Sequence, residues 1–229
     1  ITGEGFLDKG ARSQRAAMSE YQRLAWDAAF GPKNDAFLKA KLTGDAQTRW
    51  NYQRYIKNYL RSVDGLDDSV GTVRRYLGEQ GLAENTIVIY TSDQGFFLGD
   101  HGWYDKRWMY EESLRMPLVM SWPGHIEAGR EVKQLTQNID FGPTILDYAG
   151  VAIPSVMQGV SLRPLLQGNT PIDWRTSIFY AYYNRSPKHW GIRTDRYKLI
   201  RFPDTEVVEF YDLQEDPQEM YNRGSEPGY

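Results

Sequence analysis

Cysteine is absent from all 229 residues, which excludes disulfides, thiolate metal sites and an encoded cysteine nucleophile within this chain. That absence leaves the compartment open, since reducing and oxidising locations both tolerate it. Histidine is scarce, with three residues, and an excess of positive charge is missing. Twenty-seven Lys and Arg stand against 30 Asp and Glu, a formal net charge of −3. Phosphate-backbone affinity needs a basic excess, so nucleic acid is not an expected partner. No apolar run is long enough to cross a bilayer. A methionine start and a signal-peptide pattern are lacking too, and a chain that opens at Ile1 reads as a fragment, a processed product or a partial chain. No internal repeat or low-complexity tract is visible.

Aromatic residues, by contrast, are plentiful, with 16 Tyr and 7 Trp. Two readings fit them, a hydrated sugar-binding surface and ordinary amphipathic packing. The first 47 residues are polar and mixed, with a short helix predicted around Ala17 to Phe30. From Thr48 the helical signal strengthens. Tyr52, Tyr55, Ile56, Tyr59, Leu60 and Val63 repeat at three- and four-residue spacing, continued by Leu66, Val70, Val73 and Leu77, and the pattern predicts a long core-packing helix. Asn85 to Thr91 then forms a short β-branched and aromatic run, predicting a strand buried on both faces of a parallel sheet. A second such strand is predicted at Leu118 to Trp122. A helix is predicted near Asp140 to Ala149, with Asp140 as its N-cap and Pro143 in its first turn. Past Pro154 the texture changes to short alternating runs at 176–183, 190–193, 197–201 and 207–212, which predict a small antiparallel meander. The fold class is therefore α/β followed by an appended α+β subdomain, with a boundary giving domains of 1–153 and 154–229.

Ligands in such sheets bind beyond the carboxyl ends of the strands, and the next residues are TSDQGFFLGDHGWYDKRWMYEESLRMP, Thr91 to Pro117. Asp93 and Gln94 offer a carboxylate and an amide carbonyl, oxygen ligands suited to a hard cation such as Ca²⁺ or Mg²⁺. Glycines at 95, 99 and 102 allow sharp turns near a ligand. His101, Lys106 and Arg107 add proton-transfer and anion-binding groups, lysine acting as a point charge for a sulfate or phosphate oxygen. The alternative is a solvated turn after a strand, since Ca²⁺ takes six or more oxygens and this segment supplies two or three. Glu111 and Arg115 read as structural charge pairs, and His125 carries no assigned role.

Three blocks, in order, resemble the second half of the formylglycine-dependent sulfatases of the alkaline-phosphatase-like superfamily. They are GLAENTIVIYTSDQGFFLGDHGWYDKRWMYEESLRMPLVMSWPG, then QNIDFGPTILDYAGVAIP with QGVSLRPLLQG, and finally GIRTDRYKLIRF with EFYDLQEDPQEMYN. The resemblance covers roughly Tyr52 to Asn222. It implies part of the family's mixed or parallel α/β sheet with helices, followed by the small C-terminal antiparallel subdomain. It also implies that Asp93 and Gln94 are metal ligands, usually for Ca²⁺ with Mg²⁺ as the alternative. Lys106 matches the lysine that contacts the sulfate, giving it the catalytic role. His101, in the GDHG block, and His189, beside Trp190, are implied as substrate contacts.

The family's nucleophile, a formylglycine made within C/S-x-P-x-R, has no counterpart here; Ser155, Ser161 and Ser186 do not stand in that motif. The first-strand aspartates and the upstream lysine and histidine are also missing, so an N-terminal half of the same enzyme is the implied partner. The resulting expectation is a sulfuric ester hydrolase acting on a sulfated small molecule or glycan. A catalytically incomplete fragment or partner chain is one alternative, and a phosphoester or phosphonate hydrolase of the same superfamily is another. An exported location, periplasmic, extracellular or lysosomal, goes with the family, and Asn184-Arg185-Ser186 fits a glycosylation acceptor.

Overall fold

The computed structural model describes residues 13–185 and 187–226; Ser186, and with it the acceptor triplet, lies outside the described residues. The chain forms two compact units, Ile1–Thr72 and Val73–Tyr229. Among the described residues no helix is long and apolar enough to cross a membrane.

In the first unit a helix runs from Glu20 to Ala40. Ser19 starts it: the Gln22 amide N–H donates to the Ser19 hydroxyl, and the Gln22 side chain accepts from the Ser19 amide at 2.9 Å. This reciprocal box satisfies two of the donors a helix start leaves open. The helix is ten residues longer at its far end than its sequence suggests, running through Pro32 to a left-handed Lys41. Phe37 stacks on Trp50 at 4.3 Å, joining it to the next helix, Gly44–Glu79. That element carries the predicted apolar stripe, but the core-packing expectation is not met. None of its residues is buried, and Leu60 and Leu66 are 55% and 46% exposed.

The first strand of the second unit is β1, Val88–Thr91. It pairs with β4, Leu118–Ser121, antiparallel, with Val88 opposite Ser121 and Thr91 opposite Leu118. Parallel neighbours with burial on both faces were predicted, whereas within this chain Tyr90 and Val119 remain exposed. An apolar run carries no information about strand direction, which explains the difference. Between these strands lie β2, Phe97–Leu98, and β3, Tyr104–Asp105, paired antiparallel, and then a single helical turn, Glu111–Leu114.

The helix Phe141–Tyr148 forms where expected, but Asp140 does not cap it. Its fully buried carboxylate instead accepts from the amides of Gln137 at 2.8 Å and Val160 at 2.9 Å, and from the Arg175 guanidinium. The carboxylate thus closes its own turn at Gln137 and also joins two distant segments, rather than capping the helix that follows. Next come the short helix Arg163–Leu166 and the predicted meander. Strands β5 (Ser177–Tyr182), β6 (His189–Thr194), β7 (Tyr197–Phe202) and β8 (Val207–Asp212) form one four-stranded antiparallel sheet in sequence order.

The core gathers Met109, Ile200, Phe202 and Tyr211, with Trp108, Tyr110 and Leu114 packed against it. The segment after Lys106 is therefore part of the small sheet's core. Gly191 makes the approach close: a Cβ there would lie 2.0 Å from the Leu199 carbonyl oxygen and 2.7 Å from the Met109 sulfur. Gly191→Ala is expected to cost about 3 kcal/mol by forcing β6 away from β7 and Met109. Urea denaturation of the variant checks this, and an unchanged midpoint would refute the packing account.

Candidate active site

Beyond β1 the backbone turns at Ser92–Gly95, placing the Asp93 side chain on the surface and Gln94 half-buried. The Gln94 amide lies 2.8 and 3.2 Å from the two Asp93 carboxylate oxygens. With its NH₂ toward the carboxylate the pair closes as a hydrogen bond. With its oxygen turned inward three oxygens converge, which is repulsive unless a cation sits among them. The donor chemistry fits a hard divalent ion, and the set is partial. Among the described residues no group of three or more His, Asp or Glu side chains could hold a metal.

Lys106 follows the β2–β3 pair. Its ammonium lies 3.0 Å from Asp105 and 5.8 Å from the centre of the Phe96 ring, so the lysine approaches the residue two places beyond Gln94. Its side chain is 35% exposed. Burial alone would raise the Asp105 carboxyl, but Lys106 and Arg107 together outweigh it and hold the group below the usual carboxylate range. The loop is strained. His101, Asp105 and Arg107 take φ of 54°, 83° and 95°, a region that side-chain-bearing residues rarely enter. Such outliers persist only where surrounding contacts over-determine them, and they cluster at functional sites.

The over-determining contacts are visible. Ser113, buried in the turn Glu111–Leu114, accepts the Gly95 amide on its carbonyl at 2.9 Å and the Arg107 amide on its hydroxyl at 3.0 Å. The Tyr180 hydroxyl donates to the Arg107 carbonyl at 3.2 Å. The Asp93-Gln94 turn and the Lys106 loop are thus pinned to one serine.

His101 stacks on Tyr110 at 4.8 Å, with its Nε2 3.4 Å from a Glu112 carboxylate oxygen. It lines a cavity of about 370 Å³ together with Trp103, Trp108, Tyr110, Glu209 and Tyr211. Asp93, Gln94, Lys106 and His189 are not in that lining. His189 is 2% exposed, and its ring packs against Trp108, Tyr180, Tyr182 and Phe202 at 5.4 to 5.6 Å. The Pro187 carbonyl lies 3.0 Å from its Nδ1. This surrounding is that of a packed core histidine. His125 stacks on Trp122 at 3.9 Å. Ser113, which joins the two loops, and the buried Lys198 gave no signal of their own in the sequence. Glu111, read as a charge-pairing residue, does pair, with Lys198 and Arg193.

The sulfatase family matches residues 16–151, and the family of the N-sulphoglucosamine sulphohydrolase C-terminal region matches residues 99–229. The chain is 46% identical over 205 residues to an N-acetylglucosamine-6-O-sulfatase of Bacteroides thetaiotaomicron, covering 86% of this chain and 37% of that protein. A solved structure described as a complex with its substrate D-glucosamine-2-N,6-O-disulfate is 42% identical with a TM-score of 0.88, over 100% of this chain and 49% of that one. The phosphonate monoester hydrolase of Agrobacterium radiobacter is 29% identical with a TM-score of 0.65, over 71% of this chain and 36% of that one. The chain spans roughly a third to a half of the length of these relatives.

Burial lowers the His189 pKa below its ordinary 6.5, against the opposing pull of the Pro187 carbonyl, Glu209 and the Arg107 carbonyl. The folded chain therefore binds fewer protons at this site than the unfolded chain. The stability this gives is present above about pH 6.5 and is lost as pH falls through the folded pKa. Urea midpoints at pH 7.5 and pH 5.5 are expected to differ less in His189→Phe than in the native chain, and equal differences would refute the assignment.

Proposed function

Since the chain belongs to the sulfatase family, we propose that it forms part of a sulfuric ester hydrolase acting on a sulfated amino sugar. Its share would be one side of the metal and sulfate site. The observation that carries this reading is the joint anchoring of the Asp93-Gln94 turn and the Lys106 loop on Ser113. That anchoring keeps an acid–amide pair and an ammonium on two segments joined through one residue.

Asp93 and Gln94 would hold one side of a divalent cation, Ca²⁺ or Mg²⁺, through their side-chain oxygens. When bound, such an ion supplies charge stabilisation to the sulfuryl oxygens. The Lys106 ammonium would exchange its Asp105 partner for a sulfate oxygen, and Asp105, tied also to Arg107, would keep the loop closed during that exchange. A preorganised cation of this kind acts where charge develops in the transition state. His101 would meet the sugar from the edge of its cavity. His189 would act behind that surface, by holding Trp108 in place.

The nucleophile, the remaining metal ligands and the group that protonates the leaving oxygen would come from a further segment of the enzyme, the expected formylglycine-bearing N-terminal half. Its strands would cover the exposed faces of Tyr90 and Val119. An exported location accompanies this reading. The 6-O-sulfate of glucosamine is the first substrate to test, given what the relatives act on. Phosphonate monoester hydrolysis is the second reading, favoured by the fold shared with such a hydrolase.

Two measurements test the proposal. In the chain alone, Ca²⁺ at roughly millimolar concentration is expected to raise the melting midpoint, with the rise lost in Asp93→Ala; an identical rise in that variant sinks the ligand assignment. In enzyme assembled with the upstream segment, Lys106→Ala is expected to reduce 6-O-sulfoglucosamine turnover about 100-fold or more. Unchanged turnover would remove Lys106 from the mechanism. Faster hydrolysis of a matched phosphonate monoester would favour the second reading.

A further inference from the structure

The turn Glu111–Leu114 stands between the candidate site and the C-terminal sheet. On one side Ser113 holds the Gly95 and Arg107 amides. The contact is close, since a Cβ at Gly95 would lie 2.1 Å from the Glu112 carbonyl oxygen and 2.6 Å from that of Arg115. The Asp93-Gln94-Gly95 turn therefore rests directly on this backbone, and any shift of the short helix moves it.

On the other side the helix start is fixed by buried charge from residues about 80 to 110 positions away. The Lys198 ammonium is fully buried, 2.8 Å from Glu111 and 2.7 Å from Glu219. Arg193 donates to both Glu111 oxygens at 3.3 and 3.2 Å. The Glu111 amide donates to the other Glu219 oxygen at 2.7 Å. Glu219 is thus joined to both the lysine and the helix backbone, and it is 3% exposed.

Burying such a network is unfavourable compared with apolar residues of the same volume. The sheet has no evident need of it, because the β7–β8 ladder and the Met109–Ile200–Phe202–Tyr211 core already join these strands. What charges and directed hydrogen bonds add is a fixed orientation of the first helical residue. We propose that Lys198 and Glu219 are positioning residues that, through Glu111 and Ser113, set the register of the Asp93-Gln94 turn against Lys106. The inference rests on the reading of those three residues as ion- and sulfate-holding groups. The charge states agree with it. Burial raises Glu219 above the usual carboxyl range, while Lys198 and Arg193 overcome burial at Glu111 and hold it below that range.

Amide hydrogen exchange on the full chain, without metal or substrate, tests this. Lys198→Met leaves the Glu219 carboxylate buried without its cation. Exchange at the Gly95 and Arg107 amides is expected to rise about tenfold or more, while the β6–β7 ladder amides stay within about twofold. The double variant Lys198→Met/Glu219→Gln removes both charges, so neither is left buried alone, and it loses the lysine's contacts to Glu111 and to residue 219; exchange at those two amides is expected to stay about threefold or more above native. If Lys198→Met does not fold, Glu219→Gln and the double variant carry the test. Native exchange at Gly95 and Arg107 in every folded variant would overturn the proposal, as would a rise there that only tracks the sheet amides. Calcium-dependent melting of the native chain, measured in parallel, separates the two ideas. Its absence would count against the functional reading while leaving the exchange result to decide the register.

Discussion

Ser113 is the contact on which the rest of the site depends. A loop with three side-chain-bearing residues at positive φ is unstable by itself, each such residue costing on the order of 1–3 kcal/mol. The buried serine offsets part of that cost by taking the Arg107 amide, and it simultaneously takes the Gly95 amide from the turn after β1. Strain and anchoring thus have the same geometric origin. The chain is bent sharply at His101, Asp105 and Arg107 because both ends of the loop are held on one helical turn, and that turn is itself clamped onto the C-terminal sheet.

This arrangement divides labour between the regular elements and the loop. Sheet β5–β8 supplies rigidity through its ladders and core, and Met109 and Trp108 carry that rigidity into the loop by burying themselves against it. Gly191 permits the approach of Met109, and a side chain there would break it. Chemistry-bearing residues remain on the surface, with Asp93 exposed and Lys106 partly so. These side chains thus stay accessible while their backbone is fixed from behind.

What the sequence disclosed follows from which interactions are local. The four meander strands, the strand before Ser92 and the helix at 141–148 all came from alternation, apolar runs and turn residues, signals that lie within a few residues of each other. The role of Asp140 did not, because its carboxylate is claimed by Gln137, Val160 and Arg175, two of which are 20 and 35 residues away. The antiparallel pairing of β1 with β4 was hidden for a related reason, since periodicity gives burial and not direction. His189 was implied as a substrate contact, yet alternation along β6 turns the histidine inward and the tryptophan outward. Asp93, Gln94 and Lys106 were legible as chemistry-bearing types in one segment. Their common anchor was not, because a serine in EESLRMP looks like any other helix residue.

The charge of the lysine loop bears on which ester it suits. Lys106 and Arg107 together face one carboxylate, Asp105, which both already contact, so the loop presents about one net positive charge. A sulfate ester carries one negative charge, and taking it up lets Lys106 change partners without leaving either anion unpaired. A dianionic phosphate monoester would bring a second negative charge beside Asp105, and a repulsion that solvent around these part-exposed side chains screens would then have to be offset by the proposed divalent ion. A phosphonate monoester is a monoanion and escapes this argument. By itself the loop's charge matches a monoanionic ester, and it does not distinguish a sulfate from a phosphonate monoester.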